Sequence, residues 1–136
     1  YVTSRALWDT DIDYANEIMD FCTRFYGAAA ADMNNYYTAM DTAIRNSDAW
    51  KSQSYNANAH AELTLADLTE AKASLDSAAA AVAGVSPYEL RVAYVRFAHA
   101  YLMYVVTGDV QYKNTANNFR TSYSIMIKLP TYNQLQ

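Results

Sequence analysis

The chain has one cysteine, three glycines and two prolines. A lone Cys22 closes no intrachain disulfide, and so few breakers exclude a collagen-like repeat, a turn-dense β-sandwich and a low-complexity segment. Ten basic side chains stand against fourteen acidic ones, a formal charge of −4 with no basic run. Grip on a phosphate backbone rests on clustered Lys and Arg, so nucleic acid is not an expected partner. No apolar run reaches the roughly 18 residues that span a bilayer, and the apolar stretch of a secretory signal is missing. Also missing are a Gly-x-Ser-x-Gly elbow, a His-Glu-x-x-His pair, a Cys-x-x-Cys motif and a phosphate-cradling glycine loop. No catalytic group, metal site or cofactor is therefore expected in these residues. A constant repeat of about 34 or 40 residues is absent too, which disfavours a solenoid.

What is present is helical patterning. Hydrophobic residues make up 52% of 136 positions, enough for one domain with its own core. The fold class read from them is all-α, an antiparallel helical bundle of about five to six helices over residues 1–136. Val2, Ala6 and Leu7 read as the end of a helix that starts earlier. Because the chain begins at Tyr1 rather than a methionine, it is expected to be a C-terminal piece of a larger protein. From Asp11 or Asp13 as cap, apolar groups recur at Tyr14, Ile18, Cys22 and Phe25, with Ala15, Met19 and Tyr26 beside them, until Gly27 stops the helix. The period resumes at Ala29, Met33, Tyr36, Tyr37, Met40 and Ile44. Residues 48–62 are polar and aperiodic, the longest loop. Thr64 and Asp67 form a capping box before Leu65, Leu68, Ala71, Leu75, Ala78 and Val82. Ser86 as cap, Pro87 and Glu89 announce the next helix. Its apolar positions Leu90, Tyr94, Phe97, Tyr101, Tyr104 and Val105, widened by Val92, Val95, Ala98 and Leu102, suggest a central helix. Gly108 ends it, and Asp109 caps a last helix marked by Val110, Ala116, Phe119, Tyr123 and Met126, stopped by Pro130.

Few residues invite a chemical role. Cys22 lies within an apolar stripe and reads as a small core hydrophobe. Asp9, Asp11 and Asp13 alternate like the first half of a calcium loop, but Tyr14 and Asp20 stand where the glycine and the bidentate glutamate are needed, so a capping turn is expected. His99 has no second ligand three or four residues away and reads as a core or edge histidine bonded to a backbone carbonyl. Trp50 and Tyr55, beside amides in the long loop, are the candidate ligand-binding residues, since such rings stack on sugars. The competing reading folds them back as a lid over the bundle. Most of the thirteen tyrosines fall on buried stripes.

The segments Tyr1-Val2 through Leu7-Trp8-Asp9, then Asp11-Ile12-Asp13, Phe21 through Ala29, Leu63 through Leu68, and Arg91-Val92 to Tyr101 resemble the C-terminal helical region of a bacterial family, the DUF4838 group of glycoside hydrolase-like proteins. Ala28 departs from the proline that many relatives carry after the glycine. The resemblance implies a non-catalytic appendage that supports an upstream (β/α) barrel of the same protein, in an exported, periplasmic or extracellular, polysaccharide-degrading enzyme. Any acid and base would then lie upstream. A narrower resemblance, from Arg91 through Phe97 to Gly108-Asp109-Val110, is to the nutrient-binding lipoproteins of starch utilisation. It implies the alternative, a glycan-binding helical module with carbohydrate as partner, using Trp50, Tyr55 and an exposed Tyr36 or Tyr37.

Overall fold

The computed structural model describes residues 11–46 and 63–123. Of these, 86% are helical and none lies in a strand, so the chain is all-α. The elements are α1 (Tyr14–Tyr26), a 3-10 turn (Gly27–Ala29), α2 (Ala30–Asn46), α3 (Leu65–Ala81), α4 (Tyr88–Thr107) and α5 (Val110–Ser122). Each of α2, α3, α4 and α5 packs on the element before it, and α1 also touches α4.

The ends of the helices follow from local chemistry. Asp13, not Asp11, caps α1, accepting from the amides of Ala15 and Asn16 at 3.0 and 3.2 Å. The chain then turns at Gly27 with φ 57°, where a Cβ would meet the Tyr88 ring at 2.8 Å. Both facts require glycine there. Thr64 and Asp67 form the capping box of α3. Gly108, left-handed at φ 70°, ends α4 with its amide on the Tyr104 carbonyl at 2.8 Å, and Asp109 caps α5 through the Gln111 amide at 2.8 Å. The start of α4 differs from expectation. Pro87 takes the cap position without a side-chain bond. The Glu89 and Arg91 amides are satisfied by the Val85 and Pro87 carbonyls at 2.9 and 3.2 Å, so the Glu89 amide that a Ser86 cap would serve is already taken. Glu89, instead of reaching back, accepts from the Tyr123 hydroxyl at 3.3 Å.

The main core joins Cys22 and Tyr26 of α1 to Ala29, Met33 and Tyr36, to Ala71, Leu75 and Ala78 of α3, and to Val82 and Val92. Alanines at 71 and 78 keep α3 close to its neighbours. A smaller cluster of Phe97, Ala100 and Ala116 holds α5 to α4, and Leu63, Leu68 and Met103 form a third at the other end of α3.

The buried faces are rotated from the expected ones. On α1 the inner stripe is Ile18, Phe21, Cys22 and Tyr26, while Tyr14, Met19 and Phe25 are exposed. Phe25 stands at the α1–α4 seam beside Arg91, which donates to the Phe25 carbonyl at 2.8 Å with its guanidinium 4.3 Å from the ring centre. On α4 the buried set is Val92, Ala93, Phe97, His99, Ala100, Met103 and Tyr104, whereas Leu90 and Tyr94 are 40% and 42% exposed. A helix with apolar residues on opposite faces leaves the choice of inner face to its neighbours. Leu65 and Ile44, one at each helix end, are exposed as well.

Candidate functional site

Three places combine polar chemistry with shape. The largest is a groove of about 490 Å³ between α2 and α3, lined by Asn35, Thr38, Thr42 and Asn46 on one wall and Asp67, Glu70 and Ser74 on the other, with Ala39 and Ala43 between them. The wall residues of α2 recur every three to four positions and so share a face. The position of Asp67 is set by the capping box. Its Oδ2 accepts from the Thr64 amide at 3.0 Å and the Thr64 hydroxyl at 2.7 Å, and these bonds hold its carboxyl below the usual range. The box leaves Oδ1 unused. Among the described residues, two carboxylates and no lysine or arginine line the groove, and these favour hydrogen-bond donors over anions.

The second place is a buried run of polar rings. The Tyr26 and Tyr37 hydroxyls meet at 2.5 Å, the Tyr36 and Tyr37 rings are 5.4 Å apart, edge to face, and the Tyr36 hydroxyl lies 3.4 Å from His99 Nδ1. Burial pushes the Tyr36 phenol up to about 12. It raises Tyr37 further, with the bond to Tyr26 acting in the same direction. Burial also lowers the pKa of His99, Lys72 adding to that, while Asp76 and the Leu68 backbone act the other way. His99 is therefore neutral near pH 7. As expected it is a core histidine in reach of a backbone group, that of Leu68, and the Tyr36 hydroxyl lies against its Nδ1. Its Nε2 is shielded from solvent and meets no group in ordinary hydrogen-bond geometry. Cys22, wholly buried, has its thiol pushed up to about 11 by burial, which keeps it protonated and unreactive.

The third is a small cavity of about 140 Å³ where α3, α4 and α5 meet, lined by Leu75, Ala100, Met103 and Phe119 with Lys72, Asp76 and Arg96 among its polar groups. Asp76 binds both cations, Lys72 one turn before it and Arg96 at 3.2 Å, and Arg96 also lies 4.6 Å from the Phe119 ring centre. Both cations there share the single Asp76 carboxylate. Among the described residues no three His, Cys, Asp or Glu side chains come together as a metal site.

Trp50 and Tyr55, the candidate ligand-binding residues, lie outside the described residues, as does Asp9. Tyr36 is 6% exposed and Tyr37 half-buried, so neither offers an open ring for stacking. Sequence reasoning did not find the α2–α3 groove. Its signal, Asn35, Thr38, Thr42 and Asn46 at helical spacing, is also that of an ordinary solvated face, and only the packing of α3 beside it makes a concavity. No family model, curated protein or solved structure matches the chain. No described helix is long and apolar enough to cross a membrane.

Proposed function

We propose that this chain is a non-catalytic helical appendage of a glycoside hydrolase-like, DUF4838-type exported protein, an antiparallel bundle of about five to six helices that packs on an upstream (β/α) barrel. One observation carries this reading. α4 is apolar on two opposite faces: across from its buried face runs a second stripe in which Leu90, Tyr94 and Ala98 are exposed and Tyr101 and Val105 half-buried. A helix of that kind belongs in the interior of a larger body, and each large apolar side chain fully withdrawn from water contributes roughly 1.5–3 kcal/mol. The outer stripe is thus the natural seat for the rest of the parent protein. The burial of Cys22, Tyr26 and Ala29, within the most specific block of the resemblance, fits a block kept for packing.

The test is the parent gene upstream of Tyr1. The proposal expects a barrel with two carboxylates facing each other across its C-terminal mouth. Further helices behind a lipoprotein signal would replace it with the glycan-capture alternative.

A further inference from the structure

We propose that the cavity where α3, α4 and α5 meet binds a small monocarboxylate with a short saturated tail, a property that goes beyond the appendage reading and does not rest on it. The argument starts from charge. The chain carries a formal charge of −4, and the α2–α3 groove presents Asp67 and Glu70 with no cation beside them. Around the cavity the sign is reversed, for Lys72 and Arg96 share one carboxylate, Asp76. A neighbouring groove includes Asp76 and Arg96 but also Glu89, so the positive surplus lies on the side of Lys72.

The Lys72 and Arg96 side chains are 47% and 30% exposed, which lets an anion reach them from solvent. Arg96 is already oriented. It donates to Asp76 Oδ1 at 3.2 Å, and its guanidinium lies 4.6 Å from the Phe119 ring centre. One hydrogen bond and one face are thereby used in a planar group with five N–H donors, whose fork matches the two oxygens of a carboxylate. Beside the charges the lining is apolar: Leu75 and Met103, 1% and 2% exposed, with Ala100 and Phe119. An inorganic anion leaves that lining unused, and a hydrocarbon leaves the charge unused. A carboxylate with an alkyl tail uses both. The volume of about 140 Å³ sets the length of the tail, since an apolar cavity of roughly 150 Å³ takes benzene, and butyrate has the same number of heavy atoms.

His99 is an independent sign of the same place. Its ring lines the cavity at 3% exposure, and its Nε2 meets no group in ordinary hydrogen-bond geometry. Lys72 and Asp76 of α3 already act on its charge, Arg96 shares its helix, the Tyr36 hydroxyl of α2 lies against Nδ1, and Tyr112 of α5 lines the same cavity. A carboxylate added beside Lys72 and Arg96 favours the imidazolium and so raises the pKa of this ring.

The experiment is an NMR titration of the full 136-residue chain, following backbone amides and the His99 ring, with sodium butyrate to about 20 mM. Sodium acetate, sodium chloride and 1-butanol at the same concentration are the comparisons. Expected are saturable shifts with butyrate confined to the cavity segments 72–76, 96–103 and 112–119, and a His99 ring that titrates at higher pH when butyrate is present. Acetate, two methylenes shorter, should bind about tenfold more weakly. Arg96→Gln should weaken butyrate about tenfold or more. Lys72→Gln, at a half-exposed position, gives a second reading if that variant fails to fold, and weakening is expected there too. No saturable shift, shifts centred on other residues, an unmoved His99 titration or undiminished binding in a folded variant would overturn the proposal. So would an equal response to chloride, which would make this an adventitious anion site only, or to butanol, which would make it a hydrocarbon cavity only.

Discussion

α1 and α5 are of equal length, thirteen residues each, yet they are held in different ways. α1 sends Cys22 and Tyr26 into the main core and touches α2, the 3-10 turn and α4. α5 buries only Ala116 and leans on α4 through half-buried Phe119 and Tyr123. What α5 lacks in buried volume it replaces at its edges: the Tyr123 hydroxyl on Glu89, and the Arg96 guanidinium over Phe119. Half-buried edge contacts of this kind contribute less than a filled core. The comparison teaches that the stable unit is centred on α1 to α4, and that α5 depends on one face of α4.

Phe97 decides how tightly the two regions are coupled. It is 5% exposed and is the largest buried side chain between α4 and α5, so Phe97→Ala is expected to cost about 3–5 kcal/mol in urea denaturation. A loss under ~1 kcal/mol would mean that α5 detaches without troubling the rest. On the α1 side, Gly27→Ala forces a side chain into a positive φ and against Tyr88. A loss of about 1–3 kcal/mol is expected, and an unchanged midpoint would show that the turn tolerates a side chain. Thr64→Ala removes the α3 capping box and should cost about 1 kcal/mol, a local effect best read from faster amide exchange in the first turn of α3. Spread of that exchange into α1 would blur the boundary drawn above.

The smallest effect is one of pH. His99 has its folded-state pKa lowered from 6.5, chiefly by burial, so the folded protein binds this proton less readily than the unfolded chain. The stability that follows is complete above about pH 6.5 and is lost as pH falls toward the folded value. Melting temperature should therefore drop as pH falls below about 6.5, and the drop should shrink in His99→Gln. Equal slopes in both proteins would place the pH dependence elsewhere.

Much of this architecture was legible in the sequence because it is local. Asp13, the Thr64–Asp67 pair, Gly108 and Asp109 act on amides or torsions within a few residues of themselves, and each does what its position implies. The inner stripe of α3, from Leu68 to Val82, was equally plain, since its other faces are polar or small. The faces of α1 and α4 were not. Phe25 against Tyr26, or Tyr94 against Ala93, is decided by which neighbour arrives, and hydrophobic period carries no information on that when apolar residues lie on more than one face. Ser86 misled because the Val85 carbonyl already satisfies the Glu89 amide that it would have served. The α2–α3 groove was invisible for a related reason. Its walls come from two segments, and their chemistry converges only after α2 and α3 pack.

Side-chain footprinting by hydroxyl radicals, comparing this chain alone with the full parent protein, tests the central claim most directly, because it reads the solvent access of Leu90 and Tyr94 one at a time. The account expects both to be labelled in the isolated chain, where they are 40% and 42% exposed, and protected in the parent, while Val110 on α5, 58% exposed, is labelled in both. Equal labelling of Leu90 and Tyr94 in the two proteins would contradict it: the outer stripe of α4 would then face water, and the appendage would have no seat on a barrel.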